Sequence, residues 1–293
     1  LCARVAVKYA FIQRQAARHT ISVLCAVLSV SRSGYYGWRT RPESRRSIED
    51  RRLLQHIRAV HFRSREAYGA VKTWKVLNAA GVECGKHRVA RLRREHAIET
   101  RRIRRFRAAS EHRQLTPPAP NILERRFTVS APNRAWVGDI TYIPTGSGWL
   151  YLAVIVELYS RKVVGWAMSN RLTQDLAAAA LSMAVEHRRP PKGLLHHTDQ
   201  GAQYSATAYQ ARLVDLGITV SMSRKGNAWD NAVAESFFSN LKNELVHHRR
   251  FKNHEQARRE IFDYIEIFYN RQRVHATLKY VTPEAYESRS NVL

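Results

Sequence analysis

Two aspartates lie in sequence surroundings where a carboxylate needs a partner. Asp139 falls within the apolar, β-branched stretch 136–142, where an unpaired charge is costly. Asp199 follows the short apolar segment 194–198 and precedes Gln200. Open α/β sheets bind ligands where strands end in polar loops. Each aspartate taken alone also fits a structural turn cap or an ion pair.

Glu235 lies on the polar face of a predicted helix. At 100° per residue, one side of this helix carries Asn231, Glu235, Ser239 and Lys242. The opposite side carries Val233, Phe237, Leu241 and Leu245, which predict the contact with the core. The face that bears Glu235 therefore points away from the core, either into solvent or towards a site.

Three carboxylates that converge from distant parts of the chain predict a metal site. Mg²⁺ and Mn²⁺ prefer oxygen ligands, so the set favours these ions. Two such ions about 4 Å apart activate an attacking oxygen and stabilise the leaving oxygen of an in-line phosphodiester displacement. Lys242, two turns after Glu235, is placed to hold a DNA phosphate. We therefore expect a two-ion magnesium or manganese site that acts on nucleic acid.

The elements that must position these acids are predicted strands and helices after residue 125. Predicted strands cover 134–145, 149–159, 162–168, 193–197 and 218–222, and predicted helices cover 174–186, 206–216, 230–246 and 255–269. The order β-β-β-α-β-α-β-α is typical of a ribonuclease-H-like mixed sheet with helices on both faces. The predicted fold class is therefore α/β for the catalytic domain, preceded by an all-α region.

The preceding region reads as helical hairpins. Two short helices joined by a tight polar turn, within residues 20–38, are typical of a helix-turn-helix, although any small helical hairpin gives a similar pattern. A longer helix at 47–62 and a second hairpin, 68–78 and 86–96, follow. The last of these helices is rich in arginine, and we expect it to contact DNA through Arg88, Arg91 and Arg94.

The positive charge is large and uneven. The chain has 49 Lys and Arg against 24 Asp and Glu, a net charge of +25, and residues 1–120 carry +19 of it. This excess predicts double-stranded DNA as partner, with solubility alone as the alternative. Three prolines between residues 117 and 120 interrupt any helix. We therefore expect a DNA-binding region 1–115, a linker 116–124 and a catalytic domain 125–293.

The cysteines and apolar runs indicate the compartment. Cys2, Cys25 and Cys84 are too few and too scattered for a disulfide framework or a structural zinc site. The apolar run 21–30 lacks a cleavage pattern, and no stretch reaches membrane-spanning length. We expect a soluble, cytoplasmic protein with no membrane partner.

The segments around the three acids closely resemble those of a known family. They read W-V-G-D-I-T-Y at 136–142, H-T-D-Q-G-A-Q-Y at 197–204, S-R-K-G-N-A-W-D-N-A-V-A-E-S-F-F-S-N-L-K-N-E-L at 223–245 and Y-N-R-Q-R-V-H-A-T-L-K-Y-V-T-P-E-A-Y at 269–286. Asp199 and Glu235 have 35 residues between them, the spacing of the D,D(35)E motif. Together these features resemble the OrfB, or integrase-catalytic, part of bacterial insertion-sequence transposases of the IS-three group.

The resemblance implies a DDE transposase with Asp139, Asp199 and Glu235 as catalytic, metal-binding residues and Lys242 as the basic residue beside them. It implies that water cleaves strands at the element's terminal inverted repeats and that the freed 3′-hydroxyl then attacks target DNA. It also implies a homo-oligomer at the bacterial nucleoid. No His-His-Cys-Cys pattern of an integrase zinc domain occurs. An upstream frame, as the OrfA product or as a fusion, is implied as a further partner.

The loop before the Glu235 helix is expected to touch DNA near the site. Arg224, Lys225 and Asn227 carry this expectation, and an ordinary surface role is the alternative. Asp230 is predicted to lie near the helix cap. Three further residues either face DNA or form salt bridges, and these alternatives stay open: Arg271, Arg273 and His275.

Two other functions remain in view. A catalytically inactive DNA-binding regulator derived from a transposase predicts the loss of at least one acid, and all three are present. A ribonuclease-H-type hydrolase shares the fold and the metals, but hydrolysis alone does not require end recognition by a basic N-terminal region. The leading hypothesis is therefore a metal-dependent DNA strand transferase.

Overall fold

The computed structural model describes residues 5–101, 119–224 and 227–289. The chain divides into two compact units, residues 1–55 and 56–293. The predicted linker 116–124 lies partly outside the described residues. Its role as the boundary between residues 1–115 and 125–293 stays a prediction.

The first unit contains short helices around a small aromatic core. Helices α1 (Val5–Gln15), α2 (Ile21–Val27) and α3 (Arg32–Thr40) precede α4 (Arg45–Arg63). Tyr9, Ile12 and Tyr35 are buried together, with the Tyr9 and Tyr35 rings 6.0 Å apart. Ser31 caps α3 by accepting a hydrogen bond from the Gly34 N–H at 3.0 Å. The predicted hairpin at 20–38 is thus present as α2 and α3.

The second unit begins with helical residues that pack on its C-terminal part. Helices α5 (Ala70–Ala79) and α6 (Lys86–Glu95) form the predicted second hairpin. The Val274 N–H donates to the Tyr68 hydroxyl at 2.7 Å. The Arg65 guanidinium lies 5.4 Å from the centre of the Tyr264 ring, within cation–π range. The segment that joins α4 to α5 therefore contacts the C-terminal part of the same unit.

The sheet has the predicted mixed topology. Strands β1 (Ala135–Thr145), β2 (Gly148–Glu157) and β3 (Val163–Ser169) are antiparallel, while β4 (Leu195–Thr198) and β5 (Thr219–Met222) run parallel to β1. The order across the sheet is β3-β2-β1-β4-β5. This is the ribonuclease-H-like arrangement expected from the sequence, and the predicted fold class is confirmed.

Alternate residues of the central strands supply two cores, one on each face of the sheet. Val137, Leu152 and Val154 belong to one core, and Trp136, Ala153 and Ile155 belong to the other. This alternation follows from the two-residue period of a strand. The second core is covered by α7 (Gln174–Arg188) and by α8 (Ala202–Ser205) and α9 (Thr207–Asp215), which follow β4.

The first core is covered by the helices that close the chain. A 3₁₀ turn (Ala228–Asn231) leads into α10 (Ala232–Glu244), and a second 3₁₀ turn (Val246–His248) follows. Next come α11 (His254–Phe262), a π-helical segment (Asp263–Tyr269) and α12 (Pro283–Ser288). Within the described ranges, no helix combines the length and apolar character needed to cross a membrane.

Candidate active site

Asp139 lies midway along β1, beside an open strand edge. β4 pairs with β1 only over Ala135–Val137, so Asp139 lies just beyond the paired stretch. Its side chain is half-buried, and the Ile140 N–H donates to its Oδ1 at 2.7 Å. This backbone bond fixes the direction of the carboxyl group. Asp139 therefore lies in the middle of a strand, as predicted.

Asp199 and Glu235 reach the same region from β4 and from α10. Asp199 is the residue after β4, and its Oδ1 accepts from the Gly201 N–H at 3.0 Å. Glu235 lies in the first turn of α10, where the free amides of a helix start favour an acid. Phe237 and Leu241 are buried against the sheet and hold the helix in place. The predicted core face is confirmed for Phe237, Leu241 and Leu245, whereas Asn231, predicted on the polar face, is buried.

The charges of the other two acids act on the Asp139 carboxyl group. The pKa of Asp139 is raised well above its usual value, first by burial and then by the charges of Asp199 and Glu235. The Ile140 N–H and Lys242 act in the opposite direction. The fold thus gathers three acids of like charge with one cation nearby. Among the described residues, however, no group of three His, Cys, Asp or Glu side chains is already arranged to hold a metal ion.

Lys242 also contacts an aromatic ring near the site. Its ammonium lies 5.3 Å from the centre of the Tyr142 ring, which is stacked edge-on against Trp149 at 5.1 Å. Both rings are more than half exposed. The electrostatic attraction between an ammonium group and the face of an aromatic ring helps to hold Lys242 in this position. The position of Lys242 agrees with the predicted position, two turns beyond Glu235.

Asn231 connects the start of α10 to β1. Its Nδ2 donates to the Gly138 carbonyl at 3.1 Å, next to Asp139 in the chain. From the sequence, Asn231 was predicted only to lie on the same helix face as Glu235. The signal was present in the four-residue interval to Glu235, which stacks the two side chains along one face of a helix.

A buried ion cluster fixes the loop before α10. Asp230 is fully buried and accepts from Arg224 Nε at 2.9 Å and from Arg125 Nε at 2.8 Å. The hydrogen bonds from Arg224 are the main cause of the lowered pKa of Asp230. Asn121 Nδ2 adds a bond of 2.9 Å. The cluster ties Asn121, within the predicted linker, and Arg125, just after it, to the turn that starts α10.

The residues of this loop that were predicted to touch DNA therefore differ in their surroundings. Arg224 is engaged by Asp230, although its side chain is 60% exposed. Asn227 Oδ1 accepts from Arg125 Nη2 at 3.1 Å. Lys225 lies outside the described residues. DNA contact by all three stays a prediction.

We expect Asp230→Asn to lower the free energy of unfolding by about 2 kcal/mol at pH 7, because two arginines lose a charged partner. A carboxyl with a lowered folded pKa stabilises fully above its unfolded pKa of about 4, and that stability is lost as the pH falls through the folded pKa. The difference between the two proteins should therefore shrink below about pH 4. Denaturant unfolding at a series of pH values measures it. The exposed Asp215→Asn is the control, and a pH-independent difference would contradict the ion-pair explanation.

The two histidines before Asp199 are buried and neutral. His196 Nε2 lies 2.9 Å from the Tyr209 hydroxyl, and His197 contacts the Ser221 and Ser223 hydroxyls at 2.8 and 3.0 Å. Burial lowers the pKa of His196 to about 3 and that of His197 to about 4. Both ring nitrogens of His197 lie at hydrogen-bond distance from these serine hydroxyls. Packing of β4 against its neighbours explains this pair.

The arginines of α6 and of the C-terminal segment are less exposed than the sequence suggests. Arg94 is exposed, Arg88 and Arg91 are half-buried, and Arg93 is buried against the Thr73 hydroxyl. Arg273 is buried with Glu244, so the alternative left open for it is decided in favour of a salt bridge. DNA contact by Arg88, Arg91 and Arg94 stays a prediction.

Comparison with known proteins assigns the family. Integrase core domain models match residues 129–228 and 235–290, which include all three acids, and an HTH-like domain model matches 48–106. The transposase InsF of insertion sequence IS3A from Escherichia coli K12 is 40% identical over 97% of this chain and 99% of its own length. The chain belongs to the IS3 family of transposases. The HTH-like match covers α4–α6, and therefore the second predicted hairpin rather than the first.

Another relative comes from a second insertion element. An uncharacterized 31 kDa protein of insertion element IS600 from Shigella sonnei is 45% identical over 91% of this chain and 98% of its own length. Among solved structures, a chain of the simian T-cell lymphotropic virus intasome in complex with PP2A regulatory subunit B56 gamma has a TM-score of 0.46 at 19% identity, over 73% of this chain and 70% of that chain. The identity to transposase InsF confirms the predicted transposase function and enzyme class at the level of the family. The chain is a DNA strand-transferring enzyme of a family whose members depend on divalent metal ions and act on DNA as assemblies.

Proposed function

We propose that Asp139, Asp199 and Glu235 are the catalytic, metal-binding residues of this transposase. The observation that carries the proposal is that the charges of Asp199 and Glu235, reaching the region from β4 and α10, both raise the pKa of the Asp139 carboxyl on β1. Like charges gathered at a strand edge and a helix start are costly unless a cation joins them. A catalytic metal site explains why the fold accepts that cost.

The donor chemistry of the cluster fits Mg²⁺ or Mn²⁺. Its charged groups are carboxylates, which hard cations prefer, and both nitrogens of the adjacent His197 are already in contact with serine hydroxyls. When bound, two such ions stabilise the oxygens that enter and leave phosphorus in an in-line displacement. One oxygen of each aspartate is held by a backbone N–H, so both carboxyl groups have a fixed direction before any ion binds.

The reaction that we propose has two phosphoryl-transfer steps. In the first, a water oxygen attacks a phosphorus at the end of the element, and the bond to the 3′-oxygen breaks to leave a 3′-hydroxyl. In the second, that hydroxyl attacks a phosphorus of target DNA and displaces its 3′-oxygen. Lys242, near Asp139, holds a nearby phosphate in both steps.

DNA recognition is assigned to the basic N-terminal region and to the loop before α10. We propose that Arg88, Arg91 and Arg94 grip the terminal repeats, while Lys225 and Asn227 contact DNA near the site. Arg224 does so by exchanging Asp230 for a phosphate, since its side chain is already largely exposed. These contacts supply affinity that depends steeply on salt.

The working assembly that we propose is a homo-oligomer at the nucleoid, where its DNA substrate lies, and it brings two ends of the element together. The product of an upstream frame, as a separate OrfA protein or as a fusion, is a further proposed partner. Residues 1–115 serve as the DNA-binding region and 125–293 as the catalytic domain. The packing of Tyr68 on Val274 links these two regions within one compact unit.

A cleavage assay on cognate DNA tests the proposal. The substrate is a labelled duplex that carries the imperfect inverted repeat flanking the coding region, incubated with the full chain and Mg²⁺. We expect nicks at the repeat end and joined products, and none of either with EDTA. Scrambled repeat DNA is the control. Binding to the repeat without cleavage in Mg²⁺ or Mn²⁺ would favour the inactive regulator instead, and nicking without joining would favour the hydrolase.

A further inference from the structure

One amide oxygen where the start of α10 meets β1 has no hydrogen-bond donor among the described residues. Asn231 is only 4% exposed, and its Nδ2 is engaged by the Gly138 carbonyl. Its Oδ1 is completely buried, and no donor in the described part of the chain reaches it. A buried polar oxygen left unpaired costs about 1–3 kcal/mol. Such an oxygen calls for a physical explanation.

Helix capping does not explain this oxygen. Asn231 occupies the N-cap position of α10, where an asparagine side chain ordinarily accepts from an amide two or three residues later. Its side chain makes no such bond. The hydrogen bond to Gly138 turns the amide towards β1 instead. The side chain of Asn231 therefore does not cap α10.

The position of the oxygen is at the junction of the two elements that carry acids. Asn231 lies four residues before Glu235, on the same side of the helix, and its amide is held to the residue before Asp139. The Nδ2 bond to Gly138 holds the amide group where the start of α10 meets the strand that carries Asp139. A neutral oxygen there adds no further charge to three carboxylates that already repel one another.

We propose that Asn231 Oδ1 is a neutral oxygen donor to the divalent cation site formed by Asp139, Asp199 and Glu235. Asparagine carbonyl oxygens are ordinary ligands of hard cations. The bond from Nδ2 to Gly138 orients the amide before the ion arrives, as outer hydrogen bonds do for other metal ligands. The inference rests on the proposed role of the three acids and deepens it.

Binding of Mn²⁺ to the full chain without DNA tests this directly. Free Mn²⁺ is followed by its electron paramagnetic resonance signal during titration. Asn231→Ala, which removes the oxygen, should weaken Mn²⁺ binding about tenfold. Asn231→Asp keeps an oxygen, loses the Nδ2 donor and adds a charge, so it should bind Mn²⁺ at least as tightly as the parent chain.

A matched control is available on the same helix. Asn243 also has a buried Oδ1 without a donor among the described residues and an Nδ2 bonded to a backbone carbonyl, that of Ser239 at 2.8 Å. It lies two turns beyond Glu235, so Asn243→Ala should leave Mn²⁺ affinity unchanged. Thermal melting without metal checks that each variant is folded. If Asn231→Ala does not fold, Asn231→Asp decides the question.

The outcomes separate this inference from the proposed function. Unchanged Mn²⁺ affinity in Asn231→Ala would overturn the inference, and so would an equal loss in both Asn231 variants, since the Nδ2 bond alone would then matter. Asp139→Asn serves as the second arm. If Asp139→Asn still binds Mn²⁺ as the parent chain does, the proposed metal site fails whatever Asn231 does. If only Asp139→Asn loses binding, the site stands without Asn231.

Discussion

Asp139→Asn, Asp199→Asn and Glu235→Gln are each expected to lower strand cleavage and joining by about a thousandfold or more. Each change keeps the shape of the side chain and removes one negative charge from the cluster that is proposed to hold the metal ions. DNA binding should stay within about twofold, because the positive charge that supplies its affinity lies mainly in residues 1–120. Single-turnover cleavage of repeat DNA measures the first effect, and fluorescence anisotropy measures the second.

The same chemical change elsewhere on the catalytic domain provides the control. Glu186 and Asp215 are exposed acids near the ends of α7 and α9. Glu186→Gln and Asp215→Asn should leave both the cleavage rate and DNA affinity unchanged. Full activity in any one of the three site variants would remove that residue from the proposed site. A parallel loss of DNA binding would instead indicate a folding defect.

Glu244→Gln is expected to lower the free energy of unfolding by about 3–5 kcal/mol. Arg273 donates to both Glu244 oxygens, with distances of 2.8–3.0 Å, and both side chains are 5% exposed. The Tyr264 hydroxyl donates to Glu244 Oε2 at 2.8 Å. Removing the carboxylate charge leaves a buried guanidinium without a counter-ion. Chemical denaturation followed by tryptophan fluorescence measures the loss.

Two further variants check the cause of this loss. An exposed pair, Glu124 with Arg126 at 2.6 Å, gives the comparison, and Glu124→Gln should cost less than about 1 kcal/mol. The double variant Glu244→Leu with Arg273→Met should recover most of the stability, because an apolar pair no longer buries a charge. A double variant as unstable as Glu244→Gln would show that packing, rather than charge, is what the pair supplies.

Glu244 is the last residue of α10, the helix that carries Glu235 in its first turn. Its bonds tie α10 to the π-helical segment through Tyr264 and to the C-terminal segment through Arg273. Val274, next in the chain, is bonded to Tyr68 at the start of the α5–α6 hairpin. These bonds therefore connect α10 to the HTH-like region.

Local patterns in the sequence predicted most of the fold. The ends of the strands and of the helix that position Asp139, Asp199 and Glu235 were predicted to within a few residues. Apolar side chains repeat every two residues in a strand and every 3.6 residues in a helix, so both patterns can be recognised from neighbouring residues. The polar face of α10 was predicted for the same reason. The helices α8 and α12 were not predicted, since segments of four and six residues show little periodicity. The helix α1, with 11 residues, was not predicted either.

The partners of charged side chains were decided only by the tertiary structure. Arg224 was predicted to contact DNA and pairs with Asp230, while Arg273, for which DNA contact and a salt bridge were both open, pairs with Glu244. Arg93 lies buried against Thr73. The sequence by itself determined which acids stand on which elements, because residue type and spacing are local. It could not determine which acid each arginine pairs with, because the pairing depends on how the turns and elements pack, whether the partner is 6 residues away, as for Arg224, or 29, as for Arg273.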